Sequence, residues 1–212
     1  MFKKYLTACL IFAPIVCLAR HVEDLEDGPS VGYVFGGDVE DEGFAFGYQV
    51  GYEVNDKLSF EFAGNWHEDQ SVRLNDRLPT VPAGSVIDLD VFALALTGRL
   101  GTRPDPSVLT YIGGGFGYYF LDVGNEDVRR AASSTAGFIE ADAEQQFGVH
   151  YVVGAEVILT EHWEIFAEFR QIFLDTDIEV SFAPNRDTPA TSTEDEFSYD
   201  HLLVRIGVNY RF

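Results

Sequence analysis

Residues 44–54 read FAFGYQVGYEV and are followed by the tripeptide NDK at positions 55–57. In this stretch every second residue is aromatic or β-branched, whereas the residues between them are small or polar. Such alternation has the period of a β-strand, whose successive side chains point to opposite faces. After the Asn/Asp turn, residues 58–67 alternate in the same way. The two segments therefore predict a β-hairpin with one apolar and one polar face.

The same pattern returns along most of the chain. Residues 146–159 and 163–170 alternate on either side of the short turn 160–162, and the last twelve residues, 201–212, alternate to the end. Three weaker segments also have strand composition, and in the second and third of them the two faces cannot be assigned; they are 31–39, 87–100 and 109–122. The sequence therefore predicts about eight strands.

The connections between these strands alternate in length. Three are short, at 55–57, 102–107 and 160–162, and three are long and polar, at 69–85, 123–140 and 177–197. The connection 38–43, on the long side, is brief. Short turns at one end and long loops at the other are typical of antiparallel up-and-down barrels that span a membrane. The predicted fold class is therefore all-β, with about eight antiparallel strands.

The N-terminus has the three parts of a secretory signal peptide. Lys3 and Lys4 follow Met1 and Phe2, an apolar run of about 14 residues comes next, and a small residue, Ala19, precedes an acidic stretch. We therefore predict a signal peptide at 1–19, a lead segment at 20–29 and a barrel domain at 30–212. Both cysteines, Cys9 and Cys17, lie in the removed part, so thiol chemistry is excluded in the mature chain.

The charge balance excludes one class of partner. The chain has 14 basic and 35 acidic residues, and removal of Lys3 and Lys4 with the signal peptide leaves 12 basic residues, a net charge of −23. Nucleic acid is not an expected partner, because phosphate binding needs a basic surface.

Alternation alone fits a soluble barrel with its apolar face inside or a membrane barrel with that face outside. Glycines fall mainly on the polar face, which suits a narrow interior, and aromatic residues cluster near the strand ends, as in interfacial girdles. The glycines are Gly47, Gly51, Gly148, Gly154 and Gly207, and the aromatic residues are Trp66, Tyr118, Tyr119, Trp163 and Tyr210. We therefore place the apolar face outside.

The segments 46–52 (FGYQVGY) with 55–59, and 147–169, resemble the second and third and the sixth and seventh strands of OmpA-like barrels. The terminal Phe212, with Tyr210 on the same face, resembles the signal that the barrel assembly machinery reads. The resemblance implies a place in a Gram-negative outer membrane, in contact with lipid and lipopolysaccharide. We expect no periplasmic peptidoglycan-binding domain like that of OmpA, and therefore not the anchoring role of that domain.

Charged residues on the polar face should line the lumen and pair with one another, because unpaired buried charges are costly. The predicted interior network consists of Glu61, His67, His150, Glu156, Glu164, Glu168, Arg170, Arg205 and Arg211. No cofactor or metal site is predicted. His67 and His150 could meet across the lumen, and acidic runs at 38–42 and 194–196 are interpreted as solvated loop charges because they lack calcium-loop spacing.

Three functions remain open at this stage. The first is a structural or surface-interaction protein whose long loops contact an unknown partner. The second is a narrow channel for small or hydrophobic molecules, as in OmpW-like barrels. The third is a lipid-modifying enzyme, which we do not expect, because Ser198 and His201 lie three residues apart and so on opposite strand faces.

Overall fold

The computed structural model describes residues 25–36, 43–73, 86–124, 138–183, 191–198 and 200–212. This part of the chain contains eleven β-strands. They are β1 (Leu25–Phe35), β2 (Gly43–Asn55), β3 (Leu58–Arg73), β4 (Val86–Asp105), β5 (Val108–Gly124), β6 (Phe138–Ala143), β7 (Gln146–Ile158), β8 (Trp163–Phe173), β9 (Asp175–Ala183), β10 (Thr191–Ser198) and β11 (His201–Arg211). Among the described residues, no helix has the length and hydropathy needed to cross a bilayer.

Eight strands close into an antiparallel barrel in the order β1-β11-β8-β7-β5-β4-β3-β2, which confirms the predicted fold class. The stagger of the barrel can be read by following register partners from strand to strand. A path that starts at Arg211 on β11 returns to β11 at His201, ten residues away. For eight strands, this stagger corresponds to a strand tilt of about 40°. The enclosed space of such a barrel is just wide enough for side chains to fill it.

The apolar side chains of the barrel strands point outward. On β7, Phe147, Val149, Tyr151 and Val153 are all exposed, whereas the alternate residue His150 is buried. The same division holds on β2, β3, β8 and β11. A soluble barrel would have the opposite arrangement, so the structure confirms an outward apolar face.

In β4 and β5, where sequence could not assign the faces, both faces carry apolar residues. Leu89, Val91, Ala93 and Ala95 of β4 point into the lumen, and so do Thr97 and Arg99 below them. On β5, Tyr119 is 1% exposed and also points inward. The prediction that Tyr119 belongs to an interfacial girdle was therefore wrong, because its neighbour Tyr118 occupies the outward position.

Two of the predicted long loops contain strands. β6, β9 and β10 form a second antiparallel sheet in the order β10-β9-β6, which we call the outer sheet. Segment 123–140 therefore ends in β6, and segment 177–197 contains most of the hairpin β9–β10. At the N-terminal side, β1 begins at Leu25 rather than at 31, so it includes part of the predicted lead segment.

The first and last barrel strands meet along a ladder with one interruption. Asp27 is the register partner of Tyr210, and Ser30 is that of Gly207, but Gly28 and Pro29 have no register partner in β11. Pro29 lacks the N–H group that a ladder hydrogen bond requires. Below the interruption, the Phe212 amide donates to the Leu25 carbonyl at 3.1 Å and closes the end of the barrel.

Side-chain caps explain the tight turns at this end, which we call the lower end. Asn55 Oδ1 accepts hydrogen bonds from the backbone amides of Lys57 at 3.0 Å and Leu58 at 3.1 Å. Thr160 Oγ1 accepts from the amide of Trp163 at 3.1 Å. Asx and Ser/Thr turns of this kind fix a short connection locally, which is why the sequence signals these turns clearly.

Candidate functional site in the lumen

The centre of the lumen is built around Glu61 on β3. Its carboxylate accepts hydrogen bonds from Arg170 Nη2 at 2.6 Å and from Arg205 Nη2 at 2.8 Å, and it also contacts Arg99 Nη2. All four side chains are buried. One carboxylate thus holds three guanidinium groups that come from β4, β8 and β11.

A second carboxylate, Glu168 on β8, contacts the same three arginines. Its Oε1 accepts from Arg170 Nε at 3.0 Å and from Arg205 Nε at 2.8 Å, and its Oε2 accepts from Arg99 Nη2 at 3.1 Å. Arg99 Nη1 also donates to Glu156 at 3.1 Å. Three carboxylates and three guanidinium groups therefore neutralise one another, the arrangement that makes buried charges tolerable.

Aromatic rings complete the central network. The Arg99 guanidinium lies 4.5 Å from the centroid of Tyr111, whose hydroxyl donates to Glu168 Oε2 at 3.1 Å. The Arg205 guanidinium lies 5.3 Å from the ring of Phe166. Cation–π contacts of this kind are stronger where water is excluded. Gly154 provides the space for the Tyr111 ring, because a Cβ there would lie 2.5 Å from it.

A second group of charges lies at the lower end. Arg211 Nη2 contacts Glu53 at 2.7 Å and Glu164 at 2.9 Å, and Arg103 contacts Glu53 at 3.4 Å. The buried carboxylate of Glu26 lies in the same region. The predicted residues Glu164 and Arg211 therefore meet, but in this lower group rather than in the central network.

The two predicted histidines are buried but form no ion pair in the described residues. His150 Nε2 is 2.9 Å from Thr97 Oγ1, and the His67 ring lies 5.3 Å from that of His201. Ser198 is the register partner of Asp175 in the outer sheet, whereas His201 is buried at the start of β11.

Above the charged groups, the lumen holds the buried rings of Tyr119, His67 and His201 and is otherwise filled by apolar side chains. These apolar side chains are nearly inaccessible to solvent: Val34, Leu89, Val91, Leu121, Val123, Ile172, Leu174 and Leu203. The interior thus has two parts, a charged lower part and a mainly apolar upper part. We call the upper part the apolar plug.

Several residues of the central and lower groups were not predicted from the sequence. Arg99 was missed because apolar residues on both faces of β4 hide the alternation, although Thr97 and Arg99 between Leu96 and Leu100 were a usable signal. Glu26 was missed because the first strand was predicted to begin at 31. The predicted assembly signal, Tyr210 and Phe212, lies on the outer wall, where the two rings are 5.2 Å apart.

Comparison with known proteins agrees with this architecture. The family model described as outer membrane protein beta-barrel domain matches residues 9–212. No curated protein sequence matches the chain.

Solved structures with the same fold include three outer-membrane or surface proteins. OprG from Pseudomonas aeruginosa has a TM-score of 0.68 at 16% identity, over 90% of this chain and 96% of its own. Neisserial surface protein A has a TM-score of 0.57 at 12% identity, over 90% and 97%. AlkL, solved in lipid bilayers, has a TM-score of 0.53 at 14% identity, over 89% and 90%. At these identities the likeness concerns the fold alone.

The matched model covers nearly the whole chain, and the barrel carries its apolar residues on the outside. This protein therefore belongs to the outer-membrane β-barrel family and resides in the cell outer membrane.

Proposed function

We propose that this protein is a closed, non-conducting barrel that holds the outer sheet and its connecting segments at the cell surface as a contact surface. The observation that supports this proposal is the filled lumen. The central network crosses the barrel from β3 to β8 and β11, and the apolar plug occupies the space above it. Because an eight-stranded barrel encloses a space just wide enough for side chains to fill, we expect no continuous water path through this part of the chain.

Planar-bilayer recording tests the closed lumen. We expect purified protein to give no steady conductance at neutral pH, because permeation would require both the ion pairs and the apolar plug to open. A matched variant, Arg99→Ala with Arg205→Ala, removes two of the three central guanidinium groups and should increase transient current. Reproducible open-channel steps from the unaltered protein would contradict the proposal.

The contact role of the outer sheet is a separate question, which a deletion can answer. β9 and β10 pair over eight residue partners, and their connection to the barrel includes a hydrogen bond from the Leu174 amide to Asp200 at 3.2 Å. Replacement of 177–197 by a short turn should leave the barrel folded. The shortened protein is then expressed in a strain that lacks the gene. If the outer sheet is a contact surface, it should fail to restore the phenotype that the gene deletion causes. If the barrel is purely structural, it should restore that phenotype.

The second candidate is passage of a small apolar molecule, which the apolar lining of the upper lumen favours. On the outer wall, a groove of about 350 Å³ lies beside the interrupted ladder between β1 and β11. It is lined by Pro29, Val31, Ile165, Ile206 and Val208. Uptake of an alkane or similar probe into vesicles that contain the protein would distinguish this candidate. Uptake above that of empty vesicles would support it against the first proposal.

Two further assignments belong to the proposal. We infer that the barrel assembly machinery recognises Tyr210 and Phe212, which lie exposed or half-buried on the outer wall at the lower end. We assign no catalytic activity: Ser198 and His201, which the sequence places on opposite strand faces, lie in the outer sheet and at the start of β11, respectively.

A further inference from the structure

Three carboxylates converge in the lower part of the lumen from strands that are not all neighbours. Glu26 lies on β1, Glu156 on β7 and Glu164 on β8, and each can offer an oxygen within 4.8 Å of the other two. All three side chains are buried: Glu26 is 4% exposed, Glu156 3% and Glu164 2%. We call these three residues the lower carboxylate cluster.

The described lumen contains one more acidic group than basic groups. Six glutamates point inward, Glu26, Glu53, Glu61, Glu156, Glu164 and Glu168, against the five arginines Arg99, Arg103, Arg170, Arg205 and Arg211. Glu156 contacts Arg99, and Glu164 contacts Arg211. Within the described part of the chain, Glu26 forms no ion pair. The excess negative charge therefore belongs to the lower carboxylate cluster.

Two oxygens of this cluster also lack hydrogen-bond donors. Glu26 Oε2 and Glu164 Oε2 are inaccessible to solvent, and neither accepts a hydrogen bond from any described residue. Nearby, Gln49 donates to Asn209 at 3.0 Å, and Asn209 is the register partner of Glu164; the remaining atoms of the two amides, Gln49 Oε1 and Asn209 Nδ2, are both buried without a described partner. Buried oxygens that accept nothing are costly, so their convergence indicates a missing positive group.

We propose that the lower carboxylate cluster binds one Ca²⁺ ion or a cation of similar size. Carboxylate and amide oxygens are the ligands of hard divalent cations, and Ca²⁺ lies about 2.3–2.6 Å from each, so that opposite ligands are roughly 5 Å apart. The three oxygens of the cluster lie within 4.8 Å of one another, which is inside this limit. Mg²⁺ fits less well, because its ligands lie about 2.0–2.1 Å away in a strict octahedron.

Such an ion would connect the first strand to the β7–β8 hairpin across the lumen. Glu26 lies just below Gly28 and Pro29, where the ladder between β1 and β11 is interrupted. The ion would therefore hold β1 in place at the point where backbone hydrogen bonds are missing. This role goes beyond the proposed surface function and does not depend on it.

Calcium binding by the purified, lipopolysaccharide-free protein in detergent tests the proposal. After treatment with EDTA, the protein should take up one Ca²⁺ per barrel in equilibrium dialysis. Glu26→Gln should weaken this binding at least about tenfold, because it removes a ligand charge. Glu161→Gln is the matched control, since Glu161 is exposed in the turn at the same end and should bind as the unaltered protein does.

Unfolding in urea provides a second readout. Ca²⁺ should raise the unfolding midpoint of the unaltered protein and of Glu161→Gln, but not that of Glu26→Gln. If Glu26→Gln does not refold, Glu164→Gln replaces it, because Arg211 then keeps Glu53 as a partner. The proposal is overturned if the unaltered protein takes up no Ca²⁺, which would mean that Glu26 and Glu164 share a proton instead. It is also overturned if Glu26→Gln and Glu161→Gln take up equal amounts of Ca²⁺.

Discussion

At the scale of single residues, Glu61 contacts all three arginines of the central network. Among the other residues predicted from sequence, only Glu168 also contacts all three. Without Glu61, three buried guanidinium groups would share Glu168 and Glu156 alone. The sequence indicates that Glu61 points inward, but the identity of its partners depends on strand order and stagger. These properties arise only when the barrel closes.

We predict that Glu61→Ala destabilises the barrel by about 3–5 kcal/mol, because it leaves three buried guanidinium groups with one carboxylate fewer to neutralise them. The measurement is urea unfolding in lipid vesicles, followed by tryptophan fluorescence. Glu68→Ala on the same strand is the control, since Glu68 is exposed and its loss should cost little. Equal midpoints for the two variants would show that the network is not needed for stability.

A pair of adjacent residues on β7 tests the direction of the two faces. Val153 is 46% exposed on the outer wall, so Val153→Phe adds a ring that meets mobile acyl chains and should leave stability unchanged. Gly154 faces the lumen, where a Cβ would lie 2.5 Å from Tyr111 and 2.8 Å from the Ala167 carbonyl. Gly154→Phe should therefore cost at least about 1–3 kcal/mol.

The same unfolding titrations in lipid compare both variants. The reverse ranking, with Val153→Phe the more damaging, would mean that the apolar face is packed against protein.

At the scale of elements, a strand can be predicted well from sequence when the two faces of that strand contact different surroundings. β2, β3, β7, β8 and β11 have lipid on one side and charged or small luminal residues on the other, so their alternation is clear. β4 contacts lipid on one side and the apolar plug on the other, and its alternation disappears. The outer-sheet strands β9 and β10 are rich in acidic residues, serine and threonine, so they resemble polar loops in composition.

The last strand carries the inferred assembly signal at its end. We predict that deletion of Phe212 lowers the amount of protein in the outer membrane far more than it lowers stability in detergent. In the folded barrel, Phe212 is 53% exposed and contributes one terminal backbone hydrogen bond, to Leu25. Net contributions of single hydrogen bonds are about 0.5–1.5 kcal/mol.

Quantitative immunoblots of membrane fractions, beside refolding of the same variant in detergent, measure the two effects of this deletion. Normal membrane levels of the truncated protein would refute the assembly role.

At the scale of the whole molecule, export precedes everything described above. We predict that the mature protein begins at Arg20, because Ala19 and the preceding apolar run fit signal-peptidase cleavage. These residues lie outside the described part of the chain, so the cleavage site stays a prediction. N-terminal sequencing of protein from membranes measures it directly. A first residue of Met1, or a lipid-modified cysteine, would contradict it.

The central network joins residues that are far apart in the chain. Glu61 and Arg205 are separated by 144 residues, and Glu61 and Arg170 by 109. Proteins dominated by such distant contacts fold slowly, because long loops must close before the contacts form. A β3 hairpin alone in the bilayer would also expose Glu61 without any arginine to neutralise it. The strands are therefore expected to enter the membrane together, in one slow and cooperative step, rather than one hairpin at a time.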